Sequence, residues 1–284
     1  MLVILGAVVV VIGVAGGYLL EGGNLHVLFQ PAELVIIGGA AIGSFLIASP
    51  KALVFEALRS SVAVLKPGKI SRDRCLDLLK LLFELLNVAR REGIVALEPH
   101  INAPEKSAIF ARHPSASDHE LRDFICDNFK LFLTGNLEPH QVEALLDMDM
   151  DTQHAHEMLP SQAVAKVADA LPGLGIVAAV LGVVLTMAKI NEPPEVLGHS
   201  IGAALVGTFL GVLACYGFVG PLATRLEHSV REKGIMLAMV KAASVAFSNG
   251  WPPILAVEAA RRAVPPDLRP SFNDLEKSLR NVKG

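Results

Sequence analysis

The sequence predicts an all-α polytopic membrane protein with four transmembrane helices and a helical cytoplasmic insertion, and three observations carry that prediction. Of its 284 residues 52% are apolar and only 19% charged, with a mean hydropathy of +0.49, which is unusual for a soluble globular domain. Four stretches approach the roughly 20 apolar residues that a helix needs to cross the hydrocarbon core. The basic residues are distributed one-sidedly along the chain.

The first apolar stretch, LVILGAVVVVIGVAGGYLL over 2–20, has no Lys or Arg before it and no small-residue cleavage site after it, so it reads as a membrane helix rather than a signal peptide. The others fall at 32–49, 171–189 and 200–221. No Lys or Arg precedes Lys51, whereas 50–167 holds fourteen and 222–284 holds ten. Positive charge stays inside, which puts both segments, and both termini, in the cytoplasm and the connectors 21–31 and 190–199 outside. The chain then divides into a first hairpin at 1–49, a cytoplasmic helical domain at 50–168, a second hairpin at 169–221 and a cytoplasmic helical tail at 222–284.

The insertion has helical signals of its own. RCLDLLKLLFELLNVARREG spaces Leu78, Leu82, Leu85, Leu86 and Ala89 along one helix, with Gly93 as its stop. HELRDFICDNFKLFLTG is a second run ending at Gly135, and a third begins after Pro139. No alternating strand pattern and no solenoid-length repeat accompanies them.

Several functions are excluded or left without support. A net charge of −3 and the lack of a basic run give nucleic acid no surface. Cys75, Cys126 and Cys215 are widely spaced and read as reduced, buried thiols. Asp147, Asp149 and Asp151 resemble the start of a calcium loop, but Thr152 and Met158 stand where that loop requires Gly and Glu, so the run reads as a solvated helix face. His154 and His156 point to different sides of a helix, and no metal or cofactor is expected. No nucleophile elbow, phosphate loop or zinc motif argues for an enzyme.

What the spans do contain is small residues and prolines. Gly13 and Gly17, Gly39 and Gly43, Gly175 and Ala179, and Gly207 and Gly211 are four small-xxx-small pairs, suited either to packing within this chain or to assembly with further chains. Glu33, Lys189 and His199 lie at span ends, where they read as positioning devices, so the interiors keep only the hydroxyls of Thr208, Thr186, Ser44 and Tyr216. If ions pass, the charge-bearing group must come from a partner chain. Pro172 is expected to break the third span near its start and Pro221 to leave the fourth, at the cytoplasmic end of one hairpin.

Four blocks in order, GGYLLEGGNLHVLFQPAELVIIGGAAIGSF, DALPGLGIVAAVLGVV, LVGTFLGVLACYGFVGPLAT and NGWPPILAVEAARR with RPSF, resemble the flagellar motor stator A subunit, the MotA family of the MotA/TolQ/ExbB superfamily. That resemblance implies a bacterial inner-membrane stator: five copies around two single-span MotB-type partners, whose membrane aspartate takes up protons and whose periplasmic domain holds peptidoglycan. Ion flow would rotate the ring, and the insertion would push on the rotor protein FliG. The family's functional prolines match Pro172 and Pro221, the threonine facing the partner's aspartate matches Thr208, and the small residue across from it matches Ala179, where alanine rather than a hydroxyl leans towards protons. The rotor-engaging charges match Arg90 and Glu98, with Arg91 beside them. An ExbB- or TolQ-like energiser of outer-membrane processes is an alternative, against which four spans count, and a non-conducting membrane scaffold is another.

Overall fold

The computed structural model describes residues 2–65, 70–135 and 137–282, and among them every regular element is helical. In chain order the helices are α1 (Leu2–Leu20), α2 (Leu25–Leu28), α3 (Pro31–Ala48), α4 (Lys51–Ala63), α5 (Arg72–Arg91), α6 (Glu98–Asn102), α7 (Ala108–Ala111), α8 (His119–Thr134), α9 (Pro139–Met187), α10 (Pro194–Leu213), α11 (Gly220–Ser248), α12 (Pro253–Arg262) and α13 (Phe272–Val282). Among the described residues four helical stretches are long and apolar enough to cross a membrane: Leu2–Leu20, Leu25–Ala48, Pro139–Met187 and Pro194–Ser248. Two compact units result, one from 1–68 with 157–229 and one from 69–156 with 230–284.

The first unit holds the apolar helices. α1 buries no side chain of its own, and Leu2, Leu20 and Ile47 are almost fully exposed, which suits surfaces meant for lipid. Its core is small: Ile37 and Ala41 of α3, Ala168, Leu171 and Ala178 of α9, and Cys215. Pro172 does not break α9. It lies inside a continuous 49-residue helix together with Pro160, correcting the expected interruption. The missing proline N–H deprives the Ala168 carbonyl of its helical donor, a local loss that leaves the flanking turns able to continue.

Pro221 is accommodated differently. A π-helical turn over Ala214–Val219 joins α10 to α11, with the Gly220 N–H donating to the Cys215 carbonyl five residues back. A proline ring collides with the carbonyl four residues before it, here that of Gly217. The wider turn spreads that crowding over an extra residue.

The second unit is organised on α5. Ser71 caps its start, its hydroxyl accepting from the Arg74 N–H at 3.2 Å, and Gly93 ends the segment at a φ of 94° that a side chain with a Cβ rarely adopts. The sequence stripe Leu78, Leu82, Leu85, Leu86 and Ala89 is buried, but so are Leu79, Leu81 and Phe83, which makes α5 a central helix wrapped on several sides. Ile125 and Phe129 of α8, Met239 and Val240 of α11, Val257 of α12 and Leu275 of α13 close around it. Full burial of each leucine contributes about 1.5–3 kcal/mol. Cys75 and Cys126 lie in this core, where desolvation pushes both thiols up to about 11 and keeps them unreactive.

One ionisable group, His113, is buried between two half-buried carboxylates. The ring of His113 meets Asp77 Oδ1 at 2.8 Å through Nδ1 and Glu84 Oε1 at 3.1 Å through Nε2, and only the imidazolium donates from both nitrogens. Asp77 also accepts the Ser115 N–H at 2.8 Å, and Glu84 accepts from Arg112 at 2.6 Å. Asp77 and Glu84 sit seven residues apart on α5, so His113 ties two turns of the central helix to the loop before α8. Burial works to lower the His113 pKa, but the bonds to Asp77 and Glu84 outweigh it and raise it. For Asp77, burial works upward and the bonds from His113 and Ser115 bring the carboxyl below its usual range.

The folded pKa of His113 thus lies above its unfolded value of about 6.5, so its contribution is complete below that pH and is lost as pH rises through the folded pKa. Asp77 behaves oppositely, contributing above about pH 4 and losing that contribution as pH falls through its folded pKa. His113→Leu, which strands two carboxylates, is expected to cost about 2–4 kcal/mol near pH 6 and to flatten the decline above it. Thermal unfolding of the detergent-solubilised chain across pH reads both effects.

Candidate functional site

Ala179 and Thr208, two of the candidate ion-path residues, lie where α9 and α10 meet, and glycines make the meeting possible. A methyl group placed on Gly175 would fall 2.8 Å from the Gly207 carbonyl oxygen and 3.3 Å from Thr208 Cα. One placed on Gly211 would fall 2.5 Å from the Leu171 carbonyl oxygen and 2.8 Å from Gly175 Cα. Backbone therefore lies directly on backbone. Two of the four small-xxx-small pairs, Gly175 with Ala179 and Gly207 with Gly211, pack within the chain. Gly13, Gly17, Gly39 and Gly43 have open space where a Cβ would project, so those surfaces stay free.

The structure brings Ala179 and Thr208 to this one contact. Ala179 is buried, and its backbone nitrogen lies 3.1 Å from where a Gly207 Cβ would stand. Thr208 is half-buried and lines a groove with Phe209, Val212, Leu213, Tyr216 and Gly217. Among the described residues its hydroxyl has no hydrogen-bond partner, whereas Thr186 donates to the Gly182 carbonyl at 2.9 Å and Ser44 to the Ala41 carbonyl at 2.9 Å. A threonine not engaged by its own helix keeps donor and acceptor capacity for a group entering the groove. Pro172 stands half-buried one residue after Leu171, and Pro221 is exposed beyond the π-helical turn.

Glu33 departs from the sequence expectation. It sits in the first turn of α3, at the span end where it was expected, but it is buried there rather than merely placed: it is 7% exposed, with its Oε2 unpartnered among the described residues. Gly182 of α9 and Gly207 of α10 leave the space it fills. Nothing in residue type or spacing distinguished this carboxylate from any acidic residue in the first turn of a helix.

In the second unit, Arg90 lies in the last turn of α5 and Glu98 begins α6, and the reversal between them is set by Gly93 and anchored by the fully buried Leu97. Arg90, Arg91, Glu92 and Glu98 are all exposed, and Val95 beside them is 73% exposed. Among the described residues none of these four charges forms an ion pair within the unit, leaving them available to an outside surface. Asp147, Asp149 and Asp151 are exposed as well, Asp147 pairing with Lys241 at 2.6 Å. Among the described residues no three His, Cys, Asp or Glu side chains are placed to hold a metal.

Among the described residues, four apolar helical stretches, two of them packed backbone to backbone through glycines, and a leucine-cored helical unit define a polytopic membrane protein. Residues 4–93 match the motility protein A N-terminal family and residues 116–239 the MotA/TolQ/ExbB proton channel family. Motility protein A of Salmonella typhimurium is 40% identical over 284 residues, covering 100% of this chain and 96% of that protein. Chemotaxis protein LafT of Vibrio parahaemolyticus is 38% identical, covering 99% of each. In fold the chain resembles C. jejuni MotAB, with a TM-score of 0.78 at 20% identity over 95% of this chain and 98% of that one. It also resembles the flagellar MotAB stator complex of Bacillus subtilis, with a TM-score of 0.74 at 19% identity over 93% and 96%. The chain belongs to the motility protein A family.

Gly211→Ala is expected to overpack the α9–α10 contact by about 1–3 kcal/mol, because backbone rather than a flexible side chain must yield. Gly43→Ala, into open space, is expected to change little. The monodisperse fraction recovered by size exclusion after detergent extraction compares the two.

Proposed function

We propose that this chain is a flagellar motor stator subunit that forms a proton channel with a MotB-type single-span partner and converts ion flow into torque on the rotor protein FliG. The observation that carries the reading is the Thr208 groove: a hydroxyl not engaged by its own helix, in a groove whose lining residues carry no charge, beside a close backbone contact between α9 and α10. A path of that kind needs a charge brought by another helix, and the partner's membrane aspartate supplies it. Five copies surround two partners, and the unpacked glycine faces of α1 and α3 are suited to contacts between copies.

In this reading the protein lies in the bacterial inner membrane with both termini in the cytoplasm, as the distribution of Lys and Arg favours. Thr208 and Ala179 form the wall that the aspartate faces. Pro172 and Pro221, one leaving a carbonyl undonated and the other demanding a widened turn, mark where protonation of the aspartate is converted into helix movement. Arg90 and Glu98 meet FliG through surface pairs worth about 0–1 kcal/mol each, weak enough to form and break at every step.

Deletion of the gene is expected to leave assembled but motionless flagella, with motility restored by the wild-type gene. Neither Thr208→Val nor Pro172→Ala should restore it at normal membrane levels of the protein. Full swimming by both variants would remove the path from the α9–α10 wall. Arg90→Glu combined with Glu98→Lys is expected to reduce swimming while proton flux continues, separating rotor engagement from conduction.

A further inference from the structure

Glu33 is the only buried acidic side chain among the described residues, and neither helix packed on it answers its charge. A methyl group on Gly207 would fall 2.6 Å from its Oε2, and one on Gly182 would fall 3.5 Å from its Oε1. The atoms crowding the same positions are the Ala178 and Ala204 methyls. The carboxyl therefore lies in the seam between α9 and α10, lined by small apolar residues, with one oxygen unpartnered.

The ionisable groups on the surrounding helices leave it alone. α9 has none between Asp169 and its end, and Asp169 is exposed. α10 brings Glu195 and His199, α2 brings His26, and α4 brings Lys51, Glu56 and Arg59; Glu56 is half-buried and the others exposed, and among the described residues none pairs with Glu33 within 4 Å. A bare carboxylate in such surroundings is costly, and removing a buried charge from water requires a counter-ion or a proton. A metal ion needs several oxygen ligands, which a seam of alanines and glycines does not offer. A proton needs one.

We propose that Glu33 is a proton-binding station belonging to this chain, upstream of the charge that the partner supplies. The carboxylate takes a proton from hydronium at the outer end of α3, giving the neutral acid and water. The acid then returns the proton to water on the Thr208 side, from which the partner's carboxylate accepts it. Glu33 lies in the first turn of α3, near the helix end that meets water, and packs on the residue preceding Thr208, so it has access to both stages. The inference rests on the stator reading for the direction of flow and the identity of the final acceptor.

The test uses the chain with its single-span partner, the partner's membrane aspartate replaced by asparagine, in lipid nanodiscs. Infrared difference spectra between acid and alkaline buffer are expected to show a protonated-carboxyl carbonyl band that shifts in D2O and disappears in Glu33→Gln. Exchanging potassium chloride for sodium chloride should leave it unchanged. In cells, Glu33→Gln is expected to slow swimming several-fold, most at high external pH where hydronium is scarce, with Glu33→Asp intermediate. Identical spectra for wild type and Glu33→Gln, or a band displaced by sodium, would overturn the assignment. If Glu33→Gln reaches the membrane poorly, the Glu33→Asp spectrum decides, since a band that does not move in frequency is not from this side chain. The stator reading fails separately, if the deletion strain still swims.

Discussion

The contact on which the membrane unit depends is the approach of α9 and α10 through bare backbone. Lipid is as apolar as leucine and gives two helices no hydrophobic reason to meet, so their association must come from close packing. Gly175, Gly207 and Gly211 supply it by letting the carbonyl of Gly207 reach α9 and that of Leu171 reach α10. The rest of the site follows from that closeness. Ala179 is buried by it, Thr208 is turned to the groove beside it, and Glu33 is held in the gaps that Gly182 and Gly207 leave open.

The other unit is built by ordinary aqueous chemistry. α5 carries enough leucine to be buried on several sides, and an imidazolium shared between Asp77 and Glu84 secures the loop before α8. In the proposed stator that rigidity would serve the exposed turn from Arg90 to Glu98, because charges that engage another surface transiently must be presented from a firm base. Individually weak contacts are no handicap to a moving interface; they allow release.

Much of this was legible in the residues. The α5 stripe, the stop at Gly135 and the start at Pro139 followed from helical periodicity and turn chemistry, and the four apolar stretches from length alone. Where reading failed, the cause was tertiary. Pro172 looked like a break because the cost of a proline is local, whereas the integrity of α9 is set by the many turns around it. Of four similar small-residue pairs, pattern could not say which two would pack. Glu33 looked like a helix-end group because burial of a carboxylate depends on which glycines stand opposite, and those are about 150 and 174 residues away in sequence. The extra burial of Leu79, Leu81 and Phe83 likewise depends on helices from the far end of the chain.

The central claim is that this chain provides a wall and a partner provides the charge that makes it conduct. Proton uptake after an acid pulse, measured in vesicles holding this chain alone, the partner alone or both, tests that division directly. The account predicts rapid uptake only with both present, abolished when the partner's membrane carboxylate becomes an amide. Equal uptake by this chain alone, or uptake surviving that amide, would contradict it.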